Sequence, residues 1–485
     1  MFNLLKNTRV ILFLGVLAVL GFIIGPMAGT DPKGLMIILL AATAGGLCLF
    51  NRWWGVLILI GLAPFYGFVR FVLDVPQSLI LIKELIVVLI SVSWLLEDIF
   101  LKRVKLPRNP VLMPLGIFIF ILLIQFLRTG TPVQSLFGLR VYVTYMPLFY
   151  VLLTEKITDR RLKTALFLMV FMAMLTVVYG FWQWAIGIDQ LRDLGLAKAG
   201  PNIQAGEYLR VFSTYAGPEY FAANLILQML ILFSLFTSSS SVTAKVVYSI
   251  CIGLMIFMLA NTLYRSMWII ALVSFTAILV IVRKYRYIFI MIIILFAVVQ
   301  YSPPYVKERA GLTFSKNDES YQIRKELYLK HNVITVMENI IGYGVGSSFG
   351  GETYTKQTGS RYANKLLIGG GATESWLASV TIELGVAGLL VYLWIMVSVV
   401  KMSLYVFKTA PDVLWRALGL GYSAFAIGDL VGSFFFLFPA CFPAGDLYFW
   451  FITAMMAKKY HQLVYQKVAI PGGQLGDQKY LEETI

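Results

Sequence analysis

The sequence predicts an all-α fold: a polytopic membrane bundle of about fourteen transmembrane helices with one large outer loop. Three observations carry this. Of 485 residues, 59% are hydrophobic and only 13% charged, and the mean hydropathy of +0.80 lies outside the range of a soluble globule. Apolar runs long enough to cross about 30 Å of hydrocarbon recur along the chain, separated by short basic loops. One long polar stretch, Tyr301 to Glu374, interrupts them. Its backbone cannot go unpaired into hydrocarbon, so it sits on one face of the membrane.

The runs begin with Val10–Met27, Leu35–Phe50, Trp54–Val69 and Leu79–Leu96, followed by Val111–Leu127, Arg140–Leu153, Ala165–Ile186 and Tyr215–Phe236. Val246–Leu263, Met267–Val282 and Tyr287–Gln300 precede the long loop, and Trp376–Val400, Leu418–Phe438 and Leu447–Ala457 follow it. The first run, behind Lys6 and Arg9, resembles a secretory signal but is long enough to span and is read as an uncleaved first helix. The chain therefore divides into a first part of the bundle (1–300), an extracytoplasmic loop domain (301–375), a second part of the bundle (376–457) and a cytoplasmic tail (458–485).

Orientation follows from the short loops. Lys102, Arg103, Lys105 and Arg108 form one cluster, and Lys156, Arg160, Arg161 and Lys163 another. Lys245, then Arg283, Lys284 and Arg286, then Lys401, Lys408 and Arg416, and lastly Lys458 and Lys459 fall on the same side, which the positive-inside rule makes cytoplasmic. Both termini are then cytoplasmic, in a multi-pass protein of the cytoplasmic membrane. The long loop is outside. The net charge of +15 is thus a topology signal, and it excludes nucleic acid as a partner. Cys48, Cys251 and Cys441 have no metal spacing, and no metal or cofactor is expected.

Within the long loop, Ile323, Leu327, Val333, Ile334 and Met337 recur with charges between them, which predicts an amphipathic helix over Tyr321–Ile340. GYGVGSSFGG follows it, a turn that lets backbone approach a ligand or another helix. Charges at the lips of spans cost about 2.5–3.5 kcal/mol each and need a purpose. Arg140, Glu219 and Arg265 lie at the predicted outer lip, Arg324 lies on the loop helix, and Glu374 precedes the span that follows the loop. Arginine holds phosphate through a permanent charge and a planar fork, so this pattern points to an anionic ligand at the outer leaflet. Against that stands the snorkelling of lip arginines, which anchors helix ends without any ligand. Trp182, Trp184, Tyr215 and Tyr220 near this lip are candidates for stacking on sugars.

Three segments, in order, resemble the superfamily of O-antigen ligases and Wzy-type polysaccharide polymerases. NTLYRSMW at 261–268 resembles its small-residue turn before an arginine and marks Arg265. YQIRKELYLKHNVITVMENIIGYGVGSSF resembles its arginine, apolar helix and Gly-x-Gly, and marks Arg324, Gly344 and Gly346. ESWLASVTIELGVAGLLVYL at 374–393 is similar to its re-entry span, with Glu383, Gly385 and Gly388 matching a Glu-x-Gly-x-x-Gly pattern.

The resemblance implies a GT-C-like, metal-independent glycosyltransferase. Its donor would be a polyprenyl-diphosphate-linked glycan at the outer face, its surroundings membrane lipid, and its partners a chain-length regulator and a flippase. Arg265 and Arg324 would stabilise the departing diphosphate. Ligases of this superfamily commonly carry a histidine at the start of the re-entry span, where this chain has Thr373, Glu374 and Ser375. That departure favours polymerase over ligase and leaves two candidates for the base, Glu374 and His331, the latter seven residues after Arg324 on the same helix face. Glu374 also reads as a cap for the next span. Arg140, Glu219, His331, Gly344 and Gly346 complete the expected binding set. The competing function is a flippase for lipid-linked oligosaccharide, which needs an intramembrane charged path. Lys83, Glu84 and Asp429 are its deep candidates, although adjacent Lys83 and Glu84 point about 100° apart and are expected to find separate partners.

Overall fold

A computed structural model describes residues 46, 51–71, 82–101, 104–128, 132–196, 203–205, 207–288, 291, 304–311, 337–348, 375–434 and 443–465. They are mostly helical. Helix α1 (Arg52–Leu62) continues through a 3-10 turn (Ala63–Phe65) into α2 (Tyr66–Phe71), and α3 (Ile82–Trp94) ends in a π turn (Leu95–Leu101). Helices α4 (Leu112–Arg128), α5 (Pro132–Val143), α6 (Met146–Thr154) and α7 (Asp159–Asp193) follow. A two-stranded antiparallel hairpin of β1 (Gln204–Ala205) and β2 (Tyr208–Leu209) leads to α8 (Pro218–Ser238), α9 (Val242–Asn261) and α10 (Arg265–Ile281). Then come the short α11 (Pro304–Gly311), α12 (Trp376–Thr409), α13 (Val413–Gly432) and α14 (Pro443–Tyr465).

Among the described residues five segments are long and apolar enough to cross a membrane: Arg52–Val69, Asp159–Asp193, Pro218–Ser238, Val242–Asn261 and Trp376–Thr409. Leu112–Arg128, Gly138–Thr154 and Arg265–Ile281 are shorter apolar helices. The expected runs before Arg52 and most of Tyr287–Gln300 lie outside the described residues. The expected span Arg140–Leu153 is two helices meeting at Thr144–Tyr145, because Pro147 in the first turn of α6 has no N–H to continue the ladder of α5.

Helices α8 and α13 form the centre. Most residues of α8 are buried, as expected for a helix that is apolar on all sides, whereas few residues of α9 are. Small residues let α13 approach its neighbours. Gly421 lies against Leu230 O and Ser234 of α8, and Gly428 and Gly432, a small-xxx-small pair, lie against Ser274 and Ile270 of α10. Tyr422 ties α13 to α14 through its hydroxyl, which bonds Phe449 O at 2.9 Å and Thr453 Oγ1 at 2.5 Å.

One end of the bundle is fastened by charges. Arg52 donates to Glu97 (3.0 Å) and Asp98 (2.5 Å), all three buried, and Glu155 lies 3.7 Å away. Glu155 also faces Arg161 at 3.8 Å, and its carbonyl accepts from Lys458. Trp415 donates to Asp159 (3.0 Å), and Lys459 faces Asp412 (3.6 Å). These contacts gather the starts of α1, α7 and α13 and the ends of α3, α6 and α14 on one face. It is the face on which the sequence places Lys156, Arg160, Arg416, Lys458 and Lys459. The starts of α8, α10 and α12 are then on the opposite face.

Candidate active site

Helix α12 is 34 residues long and breaks at Gly385 (φ 74°, ψ −177°). This is a conformation essentially confined to glycine. Below the break, Val386–Thr409 alone extends about 36 Å at 1.5 Å per residue, enough to cross the hydrocarbon, so the break lies at the lip of the face opposite the charged clasp. A break strands backbone groups that would otherwise pair within the helix. Here Val386 N donates to Ile340 O (3.0 Å), while Ile382 O and Glu383 O accept from Tyr343 N (2.8 Å) and Gly344 N (3.1 Å). The glycine loop therefore completes the hydrogen bonding of the broken helix, as irregular backbone at membrane depth requires.

Glycine is needed on both sides of this junction. Gly342 (φ 95°), Gly344 (φ 98°) and Gly346 (φ 84°) all occupy the left-handed region. A Cβ on Gly342 would meet Gly385 N and Glu383 O, and one on Gly138 of α5 would overlap the backbone of Gly346. Three side chains clamp the loop. Asn339 Nδ2 donates to Gly342 O (2.9 Å), and Gln125 of α4 donates to Ile341 O (2.6 Å). Glu383, 1% exposed, accepts at Oε1 from Ser348 N (3.1 Å) and Ser348 Oγ (2.8 Å). Gly344 and Gly346 of the expected set are thus brought to Glu383, Gln125 and Gly138.

Glu219 and Arg265 lie at the same lip. With Gly421 opposite Leu230, the antiparallel register of α8 and α13 sets Glu219 about level with Gly432. The start of α12 is bound there too: Ser375 Oγ and Leu377 N both donate to Ser433 O (3.1 Å each), and Ser375 Oγ accepts from Ala378 N to cap the helix. Arg265 is the first residue of α10 and only 9% exposed. A cation at a helix N-terminus opposes the helix dipole. Two residues earlier, Leu263 holds φ at 51°.

A second buried loop meets the same turn. Val211 N donates to Asn261 O (3.0 Å), which carries Arg210 to the Asn261–Arg265 turn. The loop is held by Gln183 of α7, which donates to Ser213 O (2.9 Å) and accepts from Ser213 N (2.7 Å), and by Thr214 Oγ1 donating to Pro64 O (2.7 Å). Gln183→Leu leaves both buried groups of Ser213 without partners. It is expected to lower stability by about 2 kcal/mol, read as a fall in melting temperature of the purified protein.

Arg140 stands on α5, two residues beyond the glycine contact, and is engaged with Glu84 through Nε (2.9 Å) and Nη2 (2.5 Å). Lys83 lies 3.3 Å from the same Glu84 oxygen and 4.1 Å from the centroid of the Tyr66 ring. The expectation of separate partners for Lys83 and Glu84 is therefore corrected. Both long side chains bend to one point, because in a half-buried site with few opposite charges a carboxylate is shared. Tyr215 is also corrected: it is 4% exposed, stacked on Phe221, and offers no face to a sugar. Asp429 is fully buried, with neither oxygen hydrogen-bonded among the described residues. Arg324, His331, Glu374 and most of the expected loop helix lie outside the described residues.

Residues 250–393 match the family model described as O-Antigen ligase. This segment belongs to the O-antigen ligase-like superfamily. No curated protein matches the chain. The O-antigen ligase-like segment contains Arg265, the glycine loop and the broken part of α12, and the last two interlock in space. It indicates an integral membrane protein with a ligase- or polymerase-type function in surface polysaccharide synthesis. No motif in the sequence marks Gln125, Gln183 or Arg210. The first two are glutamines inside apolar runs, and that polarity was the available signal; Arg210, in a polar loop, gives none.

Proposed function

We propose that the protein is a glycosyltransferase that polymerises polyprenyl-diphosphate-linked glycan units at the outer face of the cytoplasmic membrane, in a bundle of about fourteen spans with both termini cytoplasmic. The observation that carries this reading is the buried Arg265, placed against its own helix dipole at the lip where the O-antigen ligase-like segment knits its loop to α12. In the reaction the bond between the anomeric carbon and the diphosphate oxygen breaks. An acceptor hydroxyl oxygen bonds that carbon and gives up its proton to a base. Negative charge grows on the departing diphosphate, and Arg265, with Arg324 and Arg210 as further candidates, opposes it. Glu374 and His331 are the candidates for the base; Glu219 and Arg140 order the lip around the substrate.

Two measurements test this. Purified protein in lipid vesicles is given a diphospholipid oligosaccharide. Longer chains on the same carrier support a polymerase, transfer to another lipid supports a ligase, and unchanged material moved across the bilayer supports the flippase reading, which the shared Lys83–Glu84–Arg140 cluster favours. Separately, Glu374→Gln and His331→Gln are compared. The variant lacking the base is expected to lose transfer by about 100-fold, and undiminished activity removes that candidate.

A further inference from the structure

We propose that Tyr208, Tyr305 and Trp184 form a platform that stacks on the saccharide chain of the substrate, beside the Arg265 turn. The rings come from three distant parts of the chain: β2, α11, and α7 just before its break at Gly187. Tyr208 stacks on Tyr305 at 4.9 Å between centroids. Trp184 Nε1 donates to the Tyr305 hydroxyl (3.2 Å), which donates onward to Asn261 Oδ1 (2.8 Å). Asn261 is the residue whose carbonyl holds Val211 and whose turn leads to Arg265. The hairpin beneath is seated on the outer end of α7 by a small apolar cluster of Ile188, Ile203 and Phe212. The rings are thus held in place, yet Tyr208 is 42% and Trp184 43% exposed.

A lipid-facing belt accounts for exposed aromatics at a membrane lip, but it does not account for Tyr208 and Tyr305, nor for the bond that turns Trp184, at the end of a span, toward Tyr305. Tyr208 and Tyr305 stand on elements between spans, and their exposed flanks carry Glu207, Lys307 and Glu308. Flat rings beside hydrogen-bonding groups match a pyranose, which has apolar C–H faces and a polar rim of hydroxyls. Trp182 supplies the contrast: also exposed, it packs on Tyr179 of its own helix at 5.2 Å, as a belt residue does. That the ligand is a glycan rests on the transfer reading above.

The test uses full-length protein in lipid nanodiscs, titrated calorimetrically with oligosaccharide released by mild acid from the source cell's own surface polysaccharide. Tyr208→Ala and Trp184→Ala are each expected to weaken binding by about tenfold, with Trp182→Ala unchanged. Tyr305→Phe, which keeps the ring but frees it from Asn261, is expected to fall between. Wild-type protein that does not bind, or Tyr208→Ala and Trp184→Ala binding like Trp182→Ala, overturns the platform. So does a loss seen with glycerol phosphate, a lipid-headgroup probe, in place of the sugar. Binding with this variant pattern but no glycan transfer leaves the platform standing and removes the transferase instead.

Discussion

Arg265→Met lowers glycan transfer in reconstituted vesicles by about 100-fold or more, the usual consequence of removing one donor aimed at developing negative charge. Arg265→Lys keeps the charge but not the planar fork and falls between the two. Arg265 is buried and engaged within the protein, so Arg265→Met is expected to melt somewhat below the wild type and Arg265→Lys between them, while transfer falls by far more than that destabilisation accounts for. Transfer by Arg265→Met within a few-fold of wild type would remove Arg265 from the reaction. Loss of folding in both variants would assign it a structural role instead.

The second large effect comes from a matched pair of glycines. Gly385 in α12 and Gly187 in α7 have nearly the same backbone angles, φ 74° with ψ −177° and φ 74° with ψ −178°. Alanine is strained at either position by roughly 1–3 kcal/mol. Their surroundings differ. A Cβ at Gly187 meets nothing within 4 Å, whereas one at Gly385 would overlap the carbonyls of Ile340 and Ile341. Gly385→Ala must therefore also part the glycine loop from α12, with Val386 N, Ile382 O and Glu383 O losing their partners at about 1–3 kcal/mol each. It is expected to abolish transfer and to melt well below Gly187→Ala. Equal melting temperatures in the two variants would show that the loop contributes nothing to holding the break.

These breaks bear on how the molecule is assembled. Gln125, Gln183 and Glu383 are polar side chains within or at the ends of apolar helices, and each is spent on a loop: Gln125 and Glu383 on the glycine loop, Gln183 on the loop at Ser213. In hydrocarbon such groups are costly, and here each satisfies a backbone group of a loop that no helix or strand pairs. The loops that frame the lip are fixed by the spans themselves.

By itself the sequence determined that the chain is a helical membrane protein, which helix ends share the charged face, and that Arg265 and the Gly-x-Gly loop belong to one superfamily pattern. Hydropathy and charge act segment by segment, so each run declares its place without reference to the others. Only the tertiary structure decided that α12 breaks at Gly385 and that Gly342–Gly346 completes it, since a glycine in a sequence records freedom without saying what comes close. The same holds for Lys83, Glu84 and Arg140, whose sharing of one carboxylate depends on the fold bringing Arg140 of α5 within reach of Glu84 of α3. Long-range pairing of backbone, and the choice among partners for a charge, are set by packing distances that no local window of the chain contains.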